Sequence, residues 1–209
     1  MTFVREARPF TLPPLVAALL LPLFGQYEWA LVCLLLAGAV LLFFRNPRRA
    51  FDGAPDVILA AADGRILRVD EIDDPAMGDE PQQRIVTFLS VFNVHVQRCP
   101  GGGEVISSHY QEGAKVAAFR PDAGEVNQQQ LTIIRTPEGE RIGVRQIAGL
   151  VARRVVGYLD TGMQVERGDL LGVIKFGSRV DLLLPPGYKI EVAAGDRVRA
   201  GLTAMATRS

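Results

Sequence analysis

The sequence predicts a mainly β fold, an α+β protein in which an apolar helical hairpin precedes a β-sandwich or barrel-like domain. After Asn46-Pro47, short runs rich in β-branched and apolar residues alternate with Gly and Pro, which is typical of strands joined by turns. Before that dipeptide, the chain is almost wholly apolar from Phe10 to Phe44. We therefore expect a membrane-associated hairpin over residues 1–46 and one β domain over residues 47–209.

Composition excludes several classes of protein. The 209 residues carry 23 basic and 23 acidic side chains, so no global field points to nucleic acid. Cys33 and Cys99 lie far apart in unlike surroundings, and His95 and His109 are the only histidines. These numbers favour neither a disulfide framework nor a metal cluster, and they fit a reducing, cytoplasmic setting for the β domain.

The N-terminal apolar segment consists of two runs. The second, residues 29–44, is uncharged but shorter than the roughly 20 residues that span a bilayer. The first is shorter still and contains prolines. A signal peptide would have one apolar core, and a core helix would show polar positions at the helical period. Arginines flank both ends, which places both on the cytoplasmic side of the cell membrane. We expect a hairpin that barely spans the bilayer or enters one leaflet; the flanking residues are Arg5, Arg8, Arg45, Arg48 and Arg49.

The β domain is predicted to begin its strands soon after Pro47. Residues 70–81 are acidic, contain proline and indicate an exposed loop, whereas residues 149–158 fit either a strand or a short helix. The predicted strands are residues 57–61, 65–69, 84–88, 93–96, 103–107, 115–119, 131–135, 141–146, 170–174 and 180–184.

A faint internal repeat lies near the C-terminus. Residues 165–172 and 192–201 each have a hydrophobic residue, a Gly-Asp turn and a strand closed by glycine. This pattern resembles the lipoyl and biotinyl barrel domains. It leaves open a non-catalytic alternative, a membrane-tethered lipoyl-like adaptor, although the coiled-coil hairpin common in such adaptors is not found.

The Gly177-Ser178 dipeptide between two apolar runs is a candidate reactive bond. Glycine has no Cβ to shield its carbonyl carbon, and a serine hydroxyl becomes a nucleophile when a base and an orienting group are near. By itself, however, a Gly-Ser pair is most often a turn.

His95 and Asp63 are the candidates for the base and the orienting group. If residues 91–97 form a strand, His95 lies on its polar face, whereas His109 lies at an ordinary polar strand end. Asp63 precedes Gly64, which is usually a turn signal, but a carboxylate can also fix the tautomer of a histidine.

Residues 176–181 resemble the processing site of the short (type A) phosphatidylserine decarboxylases, pyruvoyl enzymes that cut themselves before this serine. Asp63-Gly64, His95 and Gly177-Ser178 also occur in the family's order, and two further stretches, residues 145–154 and 167–172, are similar to it. The longer members have Leu-Gly-Ser-Thr at the cut, and many have a second histidine where this chain has Phe92.

The resemblance implies a self-cleaving lyase. His95, oriented by Asp63, would deprotonate Ser178, which attacks the Gly177 carbonyl. The cut between residues 177 and 178 would give a β chain, 1–177, and an α chain, 178–209, that begins with a pyruvoyl group derived from Ser178. Phosphatidylserine would then form a Schiff base with this group and become phosphatidylethanolamine and CO2, with His95 returning a proton and without metal or pyridoxal phosphate.

The same resemblance suggests the partners. These are a membrane phospholipid, the lipid bilayer and the chain's own two cleaved pieces, without nucleic acid. Lys175 and Arg179 flank the cut and could bind the phosphodiester or be solvated surface charges. An ester or ether lipid, and a monomer or homodimer, remain open. A serine hydrolase that uses the same three residues on an intact chain is a further alternative.

Overall fold

The computed structural model describes residues 1–114, 116, 120, 123–149, 154–175 and 178–208. The chain forms two compact units, Met1–Arg48 and Arg49–Ser209. The sequence analysis expected the division between residues 46 and 47.

The first unit is a helical hairpin. A 3-10 turn, Arg5–Ala7, leads into helix α1 (Arg8–Leu20), which continues as the 3-10 segment Leu21–Phe24. Gly25 then adopts a left-handed φ of 72°, a conformation that glycine takes without steric cost, and α2 (Tyr27–Phe43) begins two residues later. The two ends of the hairpin are joined by an antiparallel pair of short strands, β1 (Thr2–Phe3) and β2 (Arg45–Asn46).

The first helical stretch, with its 3-10 segments included, is longer than α2, contrary to expectation. This continuous stretch, Arg5–Phe24, has 20 residues, a mean hydropathy of 1.5 and only 11% of its most apolar part buried. Pro13 and Pro14 lie inside α1 without ending it. By length and composition this stretch could cross a membrane, whereas Tyr27–Phe43 is apolar but shorter.

The second unit consists mainly of strands, so the predicted mainly β class is confirmed. The only helix among its described residues is the single turn α3 (Ala123–Val126). The strands are β3 (Val57–Leu59), β4 (Gly64–Ile72), β5 (Gln82–Leu89), β6 (Val96–Arg98), β7 (Gly103–Gln111), β8 (Gln129–Arg135), β9 (Arg141–Ala148), β10 (Arg154–Gly157), β11 (Gln164–Val165), β12 (Leu170–Lys175), β13 (Ser178–Leu184), β14 (Tyr188–Ile190), β15 (Arg197–Val198) and β16 (Ala204–Arg208).

These strands form one large and two small sheets. The large sheet has the order β11-β7-β8-β9-β13-β5-β4-β15, and the small sheets have the orders β10-β12-β6 and β14-β16-β3. Strand β13 lies inside the large sheet, antiparallel to β5 on one side and to β9 on the other. All seven of its residues are buried, as expected for a strand with neighbours at both edges and packing on both faces.

The main hydrophobic core lies on one face of the large sheet. It combines residues of that sheet, such as Val144 and Val180, with Ile174 of β12 and Met205 of β16. A smaller cluster around Leu183 occupies the opposite face. Because successive residues of a strand point to opposite faces, Ser178 shares the main-core face with Val180.

One predicted element was wrong, and a second was right only in part. Residues 91–93 form a turn instead of the start of a strand, since Asn93 Oδ1 accepts hydrogen bonds from the Ser90 backbone N–H (2.9 Å) and hydroxyl (2.8 Å). Strand β6 therefore begins only at Val96. The predicted exposed loop, residues 70–81, begins with the end of β4, and Asp74 within it is buried against Arg145.

Two other segments are only partly described. Of the ambiguous stretch 149–158, Arg154–Gly157 is strand β10, and residues 150–153 lie outside the described residues. The predicted strand 115–119 lies almost wholly outside them as well.

The C-terminal repeat has one local geometry in both copies. Asp169 Oδ2 accepts a hydrogen bond from the Glu166 N–H at 2.8 Å, and Asp196 Oδ2 accepts one from the Ala193 N–H at 2.8 Å. The preceding glycines, Gly168 and Gly195, have φ values of 94° and 101°. The two Gly-Asp turns are therefore equivalent structures, each closed by its own carboxylate.

Candidate active site

Ser178 is the first residue of β13 and is fully buried. It lies directly between Leu89 of β5 and Ala148 of β9. Among the described residues, its Oγ has no hydrogen-bond partner. A buried hydroxyl without a partner costs free energy, so it calls for an explanation such as a chemical role. The predicted cleavage partner Gly177, like Phe176, lies outside the described residues.

His95 is buried immediately before β6, so its predicted place on the polar face of a strand over residues 91–97 is wrong. Its Nδ1 lies 3.0 Å from the Asn93 carbonyl oxygen. A carbonyl can only accept, so Nδ1 carries the proton and the lone pair of the neutral ring is on Nε2. The backbone is also fixed, because the His95 carbonyl accepts from the Ile174 N–H at 3.3 Å.

Asp63 is buried and bound by Arg49. The two terminal guanidinium nitrogens of Arg49, Nη1 and Nη2, donate to its carboxylate, and the Nη2–Oδ2 bond measures 2.8 Å. The Ala200 N–H donates to Oδ1 at 2.8 Å. Among the described residues, no hydrogen bond joins Asp63 to His95. The orienting role of Asp63 therefore stays a prediction.

Two cations share the surroundings of Asp63. Burial lowers the pKa of the Arg98 guanidinium, and the neighbouring charge of Arg49 lowers it further, while the carboxylates of Asp63 and Asp169 oppose that shift. The Arg98 Nη1 donates to the Gly168 carbonyl oxygen at 2.7 Å. Asp63 is thus held in a charged and hydrogen-bonded environment, which the turn interpretation of Asp-Gly did not foresee.

Two of the three predicted catalytic stretches lie against the end of β5, and the His95 stretch follows β5 in sequence. Leu89 is the register partner of Ser178 and lies six residues before His95. Gly64 packs so closely on the same strand that a Cβ would lie 2.2 Å from the Phe88 carbonyl oxygen, so only glycine fits after Asp63. This close approach, and not a turn, explains the Asp-Gly dipeptide.

A buried pair of glutamines links the His95 segment to the large sheet. Gln97 Nε2 donates to the His95 carbonyl oxygen at 2.8 Å, and Gln146 Nε2 of β9 donates to Gln97 Oε1 at 2.9 Å. Gly172 makes room for this pair, since a Cβ there would lie 2.8 Å from Gln146 Nε2. Sequence reasoning missed both glutamines; the available signal was a polar residue at a core-facing position of an apolar strand.

The two basic residues that flank the predicted cleavage bond lie in different surroundings. Lys175 is half-buried at the end of β12, directly opposite Arg154 of β10. Arg179 is fully buried on the face of β13 opposite to Ser178. Its guanidinium binds Asp181 through two bonds of 2.6 and 2.7 Å, so it is not a solvated surface charge.

Comparison with known proteins places this arrangement in a family. Residues 36–206 match the family model described as phosphatidylserine decarboxylase. A curated phosphatidylserine decarboxylase proenzyme from Nitrosomonas eutropha is 42% identical over 97% of this chain and 93% of its own. The one from Aromatoleum aromaticum is 40% identical over 97% of this chain and 94% of its own. The one from Gluconobacter oxydans is 43% identical over 79% of this chain and 75% of its own. The chain belongs to the phosphatidylserine decarboxylase family. The resemblance drawn from residues 176–181 is thereby confirmed.

The residues of this phosphatidylserine decarboxylase family member fit a pyruvoyl group at position 178. The group would replace a side chain whose buried Oγ has no described partner, at the head of a strand held on both sides. Among the residues that the structure describes, no group of three or more His, Cys, Asp and Glu side chains could hold a metal ion.

Proposed function

We propose that this chain is a self-processing lyase that converts phosphatidylserine to phosphatidylethanolamine and CO2. The observation that carries the proposal is the buried Ser178 hydroxyl at the head of β13, within the residues that match the family. The curated relatives are named proenzymes, which agrees with a chain that must be cut before it acts.

Self-cleavage uses the chain's own residues. His95 takes the proton of Ser178 Oγ, which attacks the Gly177 carbonyl carbon; the C–N bond breaks, an ester forms and the nitrogen of residue 178 gains a proton. Removal of the α-proton of residue 178 breaks the Cβ–Oγ bond and releases Gly177 as a carboxylate. The resulting dehydroalanine tautomerises to an imine. Water adds to this imine, and the loss of ammonia gives a ketone at position 178.

The mature site would work on the amine and carboxylate of the lipid headgroup. The pyruvoyl group supplies a ketone that binds the amine and accepts the electrons left when CO2 departs. His95, with its Nδ1 proton fixed by the Asn93 carbonyl, would hold the proton that returns to the substrate carbon. Asp63 would favour the charged form of His95 through its negative charge.

Lys175 is the better candidate for the phosphodiester of the headgroup. It stands directly opposite Arg154, so two cationic side chains lie side by side at the end of β12. Such a pair of cations could bind the two charged oxygens of a phosphodiester. Arg179, in contrast, lies on the other face of β13 with Asp181.

The first unit would hold the enzyme at its substrate. The helical stretch Arg5–Phe24 suggests membrane association, and a diacyl lipid does not leave the bilayer easily, since each buried methylene contributes about 0.8 kcal/mol. Arg5 and Arg8 at the start of the hairpin and Arg48 after it favour a cytoplasmic position of the catalytic unit at the cell membrane.

The intact mass of the purified chain tests the proposal, with Ser178→Ala as the control. We expect two chains that separate before residue 178, the smaller with a carbonyl in place of its amine, and a single chain for the variant. The cut protein should release CO2 from phosphatidylserine.

A folded wild-type chain that stays uncut would overturn the proposal. Labelling of that uncut chain at Ser178 by a fluorophosphonate would point to a serine hydrolase, and its absence to a non-catalytic lipoyl-like adaptor.

A further inference from the structure

The second unit exposes an apolar tip at residues 91–92. Phe92 is 84% exposed and Val91 is 48% exposed. Among the described residues of this unit, no other large apolar side chain exceeds 41%. A phenyl ring with this degree of exposure is unusual on a protein surface and suggests an interaction site.

The tip is held in shape by hydrogen bonds. The Asn93 N–H donates to the Ser90 carbonyl oxygen at 3.0 Å, and Asn93 Oδ1 accepts from both the Ser90 N–H and its hydroxyl. The turn thus presents Val91 and Phe92 outward in a fixed conformation, so that little ordering entropy is lost when they bind.

The tip adjoins the candidate site on both sides. Phe92 lies three residues after Leu89, the register partner of Ser178, and three residues before His95. Three residues span at most about 10 Å. The Ile174 N–H bond to the His95 carbonyl also brings the Lys175 end of β12 next to this segment.

We propose that Val91 and Phe92 insert into the hydrocarbon region of a lipid bilayer beside the active site. An apolar tip next to basic side chains is the composition of a membrane-surface element, in which the cations meet the phosphates and the apolar groups lie below them. The tip would hold the candidate active site at the bilayer surface while the acyl chains of the substrate stay in the bilayer. This inference rests on the proposed function.

Kinetics of the full-length, self-cleaved protein test the docking role. Phosphatidylserine in dioleoyl-phosphatidylcholine vesicles is compared with monomeric dihexanoyl-phosphatidylserine. For Phe92→Ser we expect KM for vesicle substrate to rise about tenfold, because the apolar contribution of one phenyl ring is lost. The value of kcat, the reaction with the dihexanoyl lipid and the extent of self-cleavage should not change. Met163→Ser, at an exposed apolar side chain next to edge strand β11, is the control and should match the wild type.

A spectroscopic readout is independent of activity. In a Trp29→Phe background, Phe92→Trp carries the only indole of the chain. We expect its emission to be quenched by vesicles that contain brominated acyl chains, and that of Met163→Trp to be unaffected.

Three results would overturn the inference: no quenching at position 92, an equal loss of activity on the dihexanoyl lipid, or a change of oligomeric state by light scattering with KM for vesicles unchanged. Failure of the proposed function is distinct, since cut wild-type protein would then decarboxylate neither lipid, and the quenching would still report whether the tip enters the bilayer.

Discussion

At the scale of single residues, the alternation of side chains along β13 puts two consecutive residues, Ser178 and Arg179, on opposite faces of the sheet. Ser178 faces the main core, whereas Arg179 faces the other way and binds Asp181, also fully buried. Removing one partner of such a buried pair leaves an uncompensated charge, which costs about 3–5 kcal/mol, whereas replacing both by apolar residues can be neutral.

The two basic residues beside the proposed cleavage bond should therefore respond differently to substitution. In an uncut Ser178→Ala background, Asp181→Asn should lower Tm by about 6–15 °C in a scan in detergent. Arg179→Met combined with Asp181→Leu should recover most of that loss. Lys175→Met should leave Tm within about 2 °C and, in the cleaved enzyme, raise KM for vesicle phosphatidylserine several-fold.

Lys189→Met is the matched control for Lys175, since Lys189 is an exposed lysine that pairs with Glu191. If Asp181→Asn kept its Tm in that background and, in the cleaved enzyme, raised KM, Arg179 would be the phosphodiester ligand.

The sequence allowed Ser178, His95 and Asp63 to be selected, but not their immediate surroundings. His95 was placed by assuming a continuous strand, and the Ser90–Asn93 hydrogen bonds that break that strand depend on one side chain. Arg49 lies 14 residues before Asp63 and contacts it only in the fold.

At the scale of elements, the β4–β5 pair is tied by an ion pair outside the core. Arg84 Nε and Nη2 donate to the two oxygens of Asp70 at 2.8 and 2.6 Å, directly across the two strands. Arg84 first, and Arg68 in addition, hold the pKa of the Asp70 carboxyl below its ordinary value of 3.8, against the opposing effect of partial burial.

Asp70 should stabilise the fold in a pH-dependent way. A folded-state pKa below the unfolded value means that its contribution is fully present above pH 3.8 and is lost as the pH falls through the folded value. Asp70→Asn in the uncut background should thus cost about 0.5–1 kcal/mol at pH 7 by urea unfolding. The difference from the parent should shrink toward zero near pH 2.5.

Glu104→Gln provides a control, because the Glu104–Arg135 pair is exposed and 3.8 Å apart. A cost for Asp70→Asn that is constant between pH 7 and pH 2.5 would contradict the assignment of this contribution to the ion pair.

Most strands could be predicted because their apolar residues recur with a period that only a sheet face imposes. Strands β8, β9, β12 and β13 each lie within a residue or two of their predicted limits. Element ends set by single contacts could not be predicted. The end of β4, for example, extends to Ile72 because it pairs with Gln82 across a bulged ladder.

At the scale of the whole molecule, Arg49 joins three distant parts of the second unit. It is the first residue of that unit, its guanidinium binds Asp63, and its Nη1 also donates to the Ala200 carbonyl oxygen at 2.7 Å. The start, an early loop and the C-terminal repeat are therefore fixed to one another by one side chain.

Substitutions at Arg49 and Asp63 should affect the thermal stability of the fold and the rate of self-cleavage differently. Arg49→Met leaves the Asp63 carboxylate buried without its counter-charge, so we expect a loss of about 3 kcal/mol and slower self-cleavage. Arg49→Met with Asp63→Asn should regain stability but remain uncut, since the carboxylate is gone. Intact mass and thermal unfolding of the same preparations measure both. Rapid self-cleavage of the double variant would remove Asp63 from the processing mechanism.

The position of β13 determines how the two chains of the mature enzyme would be held together. A cut before Ser178 makes the strand between β5 and β9 the first segment of a separate 32-residue peptide that also supplies β14, β15 and β16. The first strand of this peptide is not at a sheet edge, because both of its sides are hydrogen-bonded to the larger chain, and it would therefore not dissociate easily. Refolding after denaturation would then require two molecules to meet, and would slow with dilution, whereas the uncut chain refolds alone. Each enzyme molecule would in practice fold only once, and its activity would end with its first complete unfolding.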